Sequence, residues 1–151
     1  MKLNLTIKGT PFPKQSVRHC KGNFYKPKKI KDNELNVKAQ VLNQLPKGFD
    51  MITEPIRVNK LIYVFPYLKS HNARQRNAVM TKRIELRKFT KPDLTDNLNK
   101  GLFDSLEGIV FKNDSQIAEI QNLKKIYGIE GKTFIELETV NEVIILHQKL
   151  V

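Results

Sequence analysis

Apolar residues alternate with polar ones in several short stretches of the chain. The alternation in "KLNLTIK" predicts a first β-strand over residues 2–8. The stretch "GTPFPKQSVRHCKGNFY" is rich in proline and glycine, which predicts a loop with a short hairpin ending near residue 25. The β-branched and aromatic residues of "PIRVNKLIYVFPYL" predict a central strand over residues 56–65.

Other apolar residues recur at helical spacing and predict two main helices. The first covers residues 28–45, where "PKG" then stops it. Its buried face is predicted at Leu35, Ala39, Leu42 and Leu45. The second lies within residues 91–108, where Leu98, Leu102 and Leu106 form one stripe and Gly108 is expected just after the last turn.

The remaining segments complete an α+β fold. Residues 69–91 are strongly basic and predict either a mobile connection or a basic helix. A short strand and turn follow the second helix, and residues 117–127 and 132–139 are predicted to pair as strands. We therefore expect one domain over residues 1–151, a mixed sheet with two main helices. The apolar tail at 143–151 would pack on the body or on a second subunit.

Composition excludes several classes of protein. A chain of 151 residues can bury a core without disulfides. Cys20 is the only cysteine, which fits a reducing cytoplasm, and the three histidines lack the spacing of metal ligands. No signal peptide is visible, and no apolar run approaches the ~20 residues of a membrane helix.

Charge is divided unevenly along the chain. Residues 1–90 contain 20 Lys and Arg against 5 Asp and Glu, a net charge of +15, whereas residues 91–151 contain 7 against 10, a net charge of −3. A strongly basic part attracts polyanions, so nucleic acid is the first partner to consider. The acids of the second part are then candidates for chemistry on that partner.

Two aspartates open the second predicted helix, in "KPDLTDNLNKGLFDSLEG". In a structural interpretation, Asp93 caps the helix, Asp96 complements the helix dipole, and Asp96 pairs with Lys100 one turn later. In a catalytic interpretation, the short strand after the helix returns Asp114 to the helix N-terminus, where three carboxylates share one site. The residues alone leave both interpretations open.

The catalytic interpretation predicts a particular cofactor. Clustered carboxylates repel one another and need a compensating cation. Hard oxygen ligands favour Mg²⁺, or Mn²⁺ in its place. Such an ion would supply hydroxide for phosphodiester hydrolysis, and Lys100 would orient the scissile phosphate.

The stretch "KPDLTDNLNKGLFDSLEGIVFKNDSQI" resembles the core motif of the RusA family of Holliday junction resolvases. That motif runs approximately K-P-D-x-D-N-x-x-K-x-x-x-D-x-L-x-G, followed by a short strand and D-D-S-Q. "GTPFPKQSVRHCKGNFYKP" is similar to the family's N-terminal basic segment, and "LKKIYG" to its lysine-bearing strand. This chain departs from the motif in having two residues between Asp93 and Asp96 instead of one, and in having Asn113 in place of the first acid of the later pair.

The resemblance implies a crossover junction endodeoxyribonuclease that acts in DNA recombination and repair. It implies a two-fold homodimer that cleaves with Mg²⁺, with Asp93, Asp96 and Asp114 as metal ligands and Lys100 as an assisting cation. Asp104 matches the helix aspartate of the motif. A two-fold dimer suits a four-way junction, because resolution needs nicks in two opposed strands.

Basic side chains outside the motif are candidates for phosphate contacts, which supply affinity without sequence information. The predicted DNA-binding residues lie in the 69–91 segment, in the N-terminal loop and in the lysine-bearing strand: Arg74, Arg76, Lys82, Arg83, Arg87, Lys88, Lys14, Arg18, Lys21 and Lys124.

Two other functions remain open at this stage. A metal-dependent nuclease could act on flaps, forks or duplex DNA instead of junctions. A basic DNA-binding or phage assembly protein could carry the same acids only as helix caps.

Overall fold

The computed structural model describes residues 1–14, 18–20 and 22–143, and for residues 18–20 and 23–25 it describes the backbone only. The predicted role of the apolar tail falls on residues 144–151, outside the described part. The strands are β1 Lys2–Lys8, β2 Arg18–Cys20, β3 Asn23–Tyr25, β4 Ile56–Pro66, β5 Ile117–Ile120, β6 Leu123–Gly128 and β7 Lys132–Thr139. The helices are α1 Lys28–Leu42, α2 Ala73–Met80 and α3 Asn99–Leu106.

The fold is a mixed sheet with three helices, which confirms the predicted α+β class. The strand order is β1-β7-β4, and β5 and β6 lie one after the other along the free edge of β4. β7 is antiparallel to both of its neighbours, whereas β5 and β6 are parallel to β4. β2 and β3 form the separate hairpin that the sequence predicted.

The predicted pairing of residues 117–127 with residues 132–139 is wrong. These segments lie on opposite edges of β4 and do not pair with each other. The reason is the central strand itself, since Ile56, Val58 and Leu61 are fully buried. Such an apolar strand is best covered when both of its edges carry a neighbour.

Helix α1 packs on the sheet through a face that differs from the predicted one. Ile30, Val37 and Val41 are buried, while the predicted Leu35 and Leu42 are exposed. The helix also ends before Leu45, although that side chain still packs against the core, and Ala39 is exposed.

Two glutamines explain which face of α1 is directed towards the sheet. The Gln40 amide exchanges hydrogen bonds with the backbone of Lys8, at 2.7 and 2.9 Å, and Gln44 does the same with Thr6, at 2.9 and 2.8 Å. These bonds occupy the outer edge of β1, which would otherwise expose unpaired backbone groups. They also turn Val37 and Val41 towards the sheet.

The basic segment at 69–91 contains the short helix α2, which is the second of the two alternatives predicted for it. α2 begins with a capping box in which Asn72 and Gln75 each accept the other's backbone N–H. A row of rings connects it to the sheet: the His71 ring lies edge-on to Tyr67 at 6.1 Å and to Tyr127 at 4.6 Å.

Helix α3 buries its leucine stripe, as predicted, and ends before Gly108. Leu98, Leu102 and Leu106 are at most 8% exposed. Gly108 has a φ of 78°, a left-handed conformation that glycine adopts without strain. Within the described residues, no helix has the length and apolar character needed to cross a membrane.

Candidate active site

A π turn over Leu94–Leu98 leads directly into α3. The carbonyl of Asp93 accepts the N–H of Leu98, five residues further on, at 3.2 Å. A π turn contains one residue more than an α turn. The structure therefore accommodates here the extra residue between Asp93 and Asp96 that distinguishes this chain from the resembled motif.

Asp93 and Asp96 lie at this turn with both side chains exposed. Asp93 occupies the N-cap position, but its carboxylate accepts no capping hydrogen bond. Among the ion pairs of the described residues, none involves Asp93 or Asp96, so the expected pair with Lys100 is not formed. The structural interpretation of these acids thus loses both of its specific contacts.

The N-terminal loop packs on α3 at a glycine. The Lys14 N–H donates to the Asn97 carbonyl at 3.0 Å, and the Lys14 ammonium forms a partly buried ion pair with Asp104. A Cβ at Gly101 would lie 3.2 Å from the Lys14 nitrogen and 3.3 Å from the Phe12 carbonyl oxygen, so this close approach depends on glycine. Lys14, a predicted DNA-binding residue, here anchors the loop.

One buried hydrogen bond connects the start of α3 to the centre of the sheet. The Tyr63 hydroxyl on β4 donates to Asn99 Oδ1 at 2.9 Å. Burial raises the pKa of Tyr63 far above its ordinary value, because the charged form would be desolvated. The hydroxyl therefore remains a donor and holds the first residue of α3, the helix that carries Lys100 and follows directly on the turn that carries Asp96.

Lys125 on β6 lies beneath the loop that carries Asp93. Its ammonium donates to the Thr90 carbonyl at 2.5 Å and to the Pro92 carbonyl at 2.6 Å. Burial lowers the pKa of Lys125, the nearby charge of Lys88 lowers it further, and the negative charge of Asp93 opposes both effects. Lys125 therefore binds the backbone directly before Asp93.

Lys125 is the neighbour of Lys124, the residue of this strand that the sequence interpretation predicted to bind DNA. Successive residues of a strand point to opposite faces, so only one lysine of "LKKIYG" can lie under the loop. Lys124 instead pairs with Glu85 at 2.6 Å. The alternation could have indicated that one of the two lysines faces the site, but not which one.

Lys88 is a second cation under the same loop. Its ammonium lies 5.0 Å from the centroid of the Phe65 ring and 5.3 Å from that of Tyr127, and it donates to Thr90 Oγ1 at 2.8 Å. A cation over two aromatic faces is attracted by the ring quadrupoles, whose faces are electrostatically negative. Lys88, predicted to bind DNA, is thus half-buried support for the loop.

The structure places Asp114 at the other end of α3. After the helix the chain makes a turn, not the predicted short strand, and the Asp114 N–H lies 3.4 Å from the Glu107 carboxylate. Glu107 follows the last residue of α3, which rises about 10 Å from Asn99 to Leu106 at 1.5 Å per residue, beyond the turn that carries Asp96. The expectation that Asp114 returns to Asp93 and Asp96 is therefore wrong within one chain.

The donor chemistry at the start of α3 fits a hard divalent cation. Asp93 and Asp96 offer exposed carboxylate oxygens, and Mg²⁺ in proteins commonly takes one or two carboxylates together with water and substrate phosphate. Over the described ranges, no three His, Cys, Asp or Glu side chains are grouped so as to hold a metal ion. One chain thus brings two of the three predicted ligands to the same turn.

The predicted DNA-binding residues fall into three groups. Four are exposed: Arg74, Lys82, Arg83 and Arg87, of which Arg87 also lies 3.9 Å from the Glu85 carboxylate. Four have contacts within the protein: Lys14, Lys88, Lys124 and Arg76, whose guanidinium lies 5.5 Å from the centroid of the Tyr67 ring. Lys21 lies outside the described residues, and only the backbone of Arg18 is described.

The chain belongs to a family of endodeoxyribonucleases. The family is Endodeoxyribonuclease RusA, and its match covers residues 7–138. The match includes the π turn, the carboxylates, Lys100, Asp114 and Lys125, which confirms the resemblance seen in the sequence.

A protein of Bacillus subtilis strain 168, uncharacterized protein YqaN, is similar along nearly its whole length. The two sequences are 27% identical over 143 residues, which cover 92% of this chain and 97% of the relative. The similarity therefore extends over most of the chain and not only over the motif.

Proposed function

We propose that the protein is a Mg²⁺-dependent endonuclease that resolves four-way DNA junctions by paired nicks, in DNA recombination and repair. The observation that carries this proposal is the pair of exposed carboxylates at the π turn, neither of which makes a capping hydrogen bond. The chain that carries them belongs to an endodeoxyribonuclease family. Mn²⁺ is an alternative ion. When bound, the metal would supply a hydroxide nucleophile and stabilise charge on the phosphate.

The proposed roles of the protein residues follow from their positions. Asp93 and Asp96 would hold the cation, and Lys100, one turn further along α3, would bind an oxygen of the scissile phosphate. Lys125 and Lys88 hold the Asp93 loop from below. The exposed cations Arg74, Lys82, Arg83 and Arg87 would bind phosphates on either side of the cut.

The homodimer is part of the proposal for two reasons. Two symmetric nicks require two equivalent sites. In addition, Asp114 lies far from Asp93 and Asp96 within one chain. A second copy of the chain would then contribute Asp114 as the third carboxylate.

Cleavage of labelled DNA tests the activity. Four-way junction, flap and linear duplex are incubated with the protein, with Mg²⁺ or with chelator. We expect symmetric nicks in the junction alone and only with the metal. The Asp96→Asn variant should bind the junction and fail to cut it, while Asp32→Asn, which removes an exposed acid of α1, should cut normally. Normal cutting by Asp96→Asn would overturn the proposed metal site. If the wild type cuts linear duplex as fast as the junction, the proposed substrate is wrong.

Mixing two inactive variants tests where Asp114 acts. In a dimer of one Asp96→Asn chain and one Asp114→Asn chain, a site shared between copies leaves one of the two sites intact. We then expect single nicks in the junction from the mixture. If the mixture is as inactive as each variant alone, Asp114 does not act in a site of the second copy.

A further inference from the structure

The segment before the Asp93 loop is held against the edge of β6. The Tyr127 N–H donates to the Leu86 carbonyl at 2.9 Å, and the Lys88 N–H donates to the Lys125 carbonyl at 3.0 Å. Between them Arg87 forms an antiparallel bridge with Ile126. Residues 86–88 therefore behave as a short added strand, and Phe89 follows directly from it.

Side chains alternate along this added strand. Leu86 packs against the core and Lys88 lies over aromatic rings, so both point inwards. Arg87 and Phe89 take the opposite direction, with 86% of the Arg87 side chain and 93% of Phe89 exposed. The result is an aromatic ring and a guanidinium side by side on an anchored backbone.

The surroundings of Phe89 indicate what it binds. A single exposed apolar residue is common and by itself means little. Phe89, however, lies four residues before Asp93, and the exposed side chains near it in the chain are mainly cations: Lys82, Arg83, Arg87 and Lys91. A second copy meeting this surface through a two-fold axis would bring like charges together. A base flanked by phosphates fits this surface, because the base can stack on the ring and the phosphates can pair with the cations.

We infer that Phe89 stacks on a nucleobase next to the scissile phosphate, while Arg87 binds an adjacent phosphate. This inference rests on the proposed function and deepens it. Base stacking on aromatic side chains is independent of sequence, because every base has a π face. Continuous duplex hides those faces, whereas a branch point exposes them. Phe89 would therefore contribute selectivity for branched DNA that phosphate contacts do not supply.

Binding of the full chain to junction and duplex, measured by fluorescence anisotropy in Ca²⁺ to prevent cutting, tests the inference. Phe89→Ala should weaken junction binding by about ten-fold and duplex binding by less than about two-fold. Phe89→Trp should restore junction binding. Leu35→Ala, a matched truncation of an apolar residue that is 65% exposed on α1, should bind as the wild type does. The emission of 2-aminopurine at the branch point should change with the wild type and not with Phe89→Ala.

Several results would overturn the inference. They can be distinguished from results that would overturn the proposed function. If the wild type binds and cuts junctions and Phe89→Ala does so equally well, the stacking role alone is wrong. If Phe89→Ala converts a dimer to monomer in sedimentation experiments, the surface binds a second copy. If the wild type does not bind junctions, the proposed function and the inference both fall.

Discussion

The ammonium of Lys125 donates a hydrogen bond to the carbonyl of Pro92 at 2.6 Å, one residue before Asp93. A second bond, to the Thr90 carbonyl, is 2.5 Å long. β6 therefore fixes the loop that carries Asp93, while Tyr63 on β4 fixes the start of α3, directly after the turn that carries Asp96. Both candidate metal ligands are thus positioned by the same sheet.

Replacing Lys125 with Met should lower the rate of junction cleavage by about 100-fold, because a displacement of Asp93 of ~1 Å misaligns the reacting groups. Affinity for the junction should change little, since Lys125 is held inside the loop. Single-turnover cleavage at saturating DNA measures the effect. Lys124→Met is the matched control, because Lys124 pairs with Glu85, and it should cut at the normal rate. Equal losses in both variants would contradict this role of Lys125.

Replacing Lys14 with Met should reduce the free energy of unfolding by about 1 kcal/mol, because the partly buried Asp104 loses its ion pair. Urea denaturation measures this change, and a double-mutant cycle with Asp104→Asn isolates the pair. Junction affinity should fall less than in Arg83→Met, whose side chain is exposed. The reverse order of affinities would return Lys14 to the DNA-binding group.

Replacing Tyr63 with Phe should destabilise the protein by about 1–3 kcal/mol, because the buried Asn99 Oδ1 loses its donor. Denaturation midpoints at constant slope measure the change. Tyr67→Phe is the control, since the Tyr67 hydroxyl lies 3.5 Å from its acceptor, the Arg76 carbonyl. If both variants lose the same stability, the hydrogen bond to Asn99 makes no specific contribution to the free energy of unfolding.

Acidic pH should remove the contribution of Glu138 to the stability of the protein. A hydrogen bond from Arg57 lowers the pKa of Glu138 below its ordinary value of 4.5. A lowered folded-state pKa gives stability that is present above pH 4.5 and is lost as pH falls through the folded value. The difference in denaturation midpoint between wild type and Glu138→Gln should therefore be constant near neutral pH and vanish in acid. Glu130→Gln is the control, and a wild-type advantage that persists in acid would rule out the charge.

Salt should weaken junction binding steeply. If about six cations contact phosphates, the logarithm of affinity falls against the logarithm of salt concentration with a slope of roughly −5. Anisotropy titrations at several salt concentrations measure the slope. Arg83→Ala should reduce its magnitude by about 1, and Lys14→Met should not change it. A flat salt response would exclude phosphate contacts as the source of affinity.

Local sequence patterns determined much of the fold. Alternation predicted β1, β-branched and aromatic residues predicted β4, helical spacing predicted the leucine stripe of the second helix, and Gly108 was expected just after its last turn. These patterns succeed because the inside and outside of a strand or helix are set by its own periodicity. The motif that carries Asp93, Asp96 and Lys100 is equally local, so the start of α3 could be proposed as a site from the sequence.

Local patterns could not determine which strands pair with one another or how the helices pack on the sheet. The sequence does not state that β6 and β7 lie on opposite edges of β4, because strand pairing depends on the summed burial of distant residues. The sequence also does not reveal which face of α1 is buried, because hydrogen bonds from the side-chain amides of Gln40 and Gln44 to the edge strand β1 set its orientation. Both errors arose where a polar or long-range contact outweighed apolar spacing.

The sequence by itself determined that this is a basic α+β domain with acids at the start of a helix. Only the tertiary structure decided which charges are close to those acids: Lys125 and not Lys124 is near Asp93, and Asp114 lies at the far end of α3. The physical reason is that the composition of a site depends on which ends of different elements meet. That meeting is set by packing between elements and not by the pattern within any one of them.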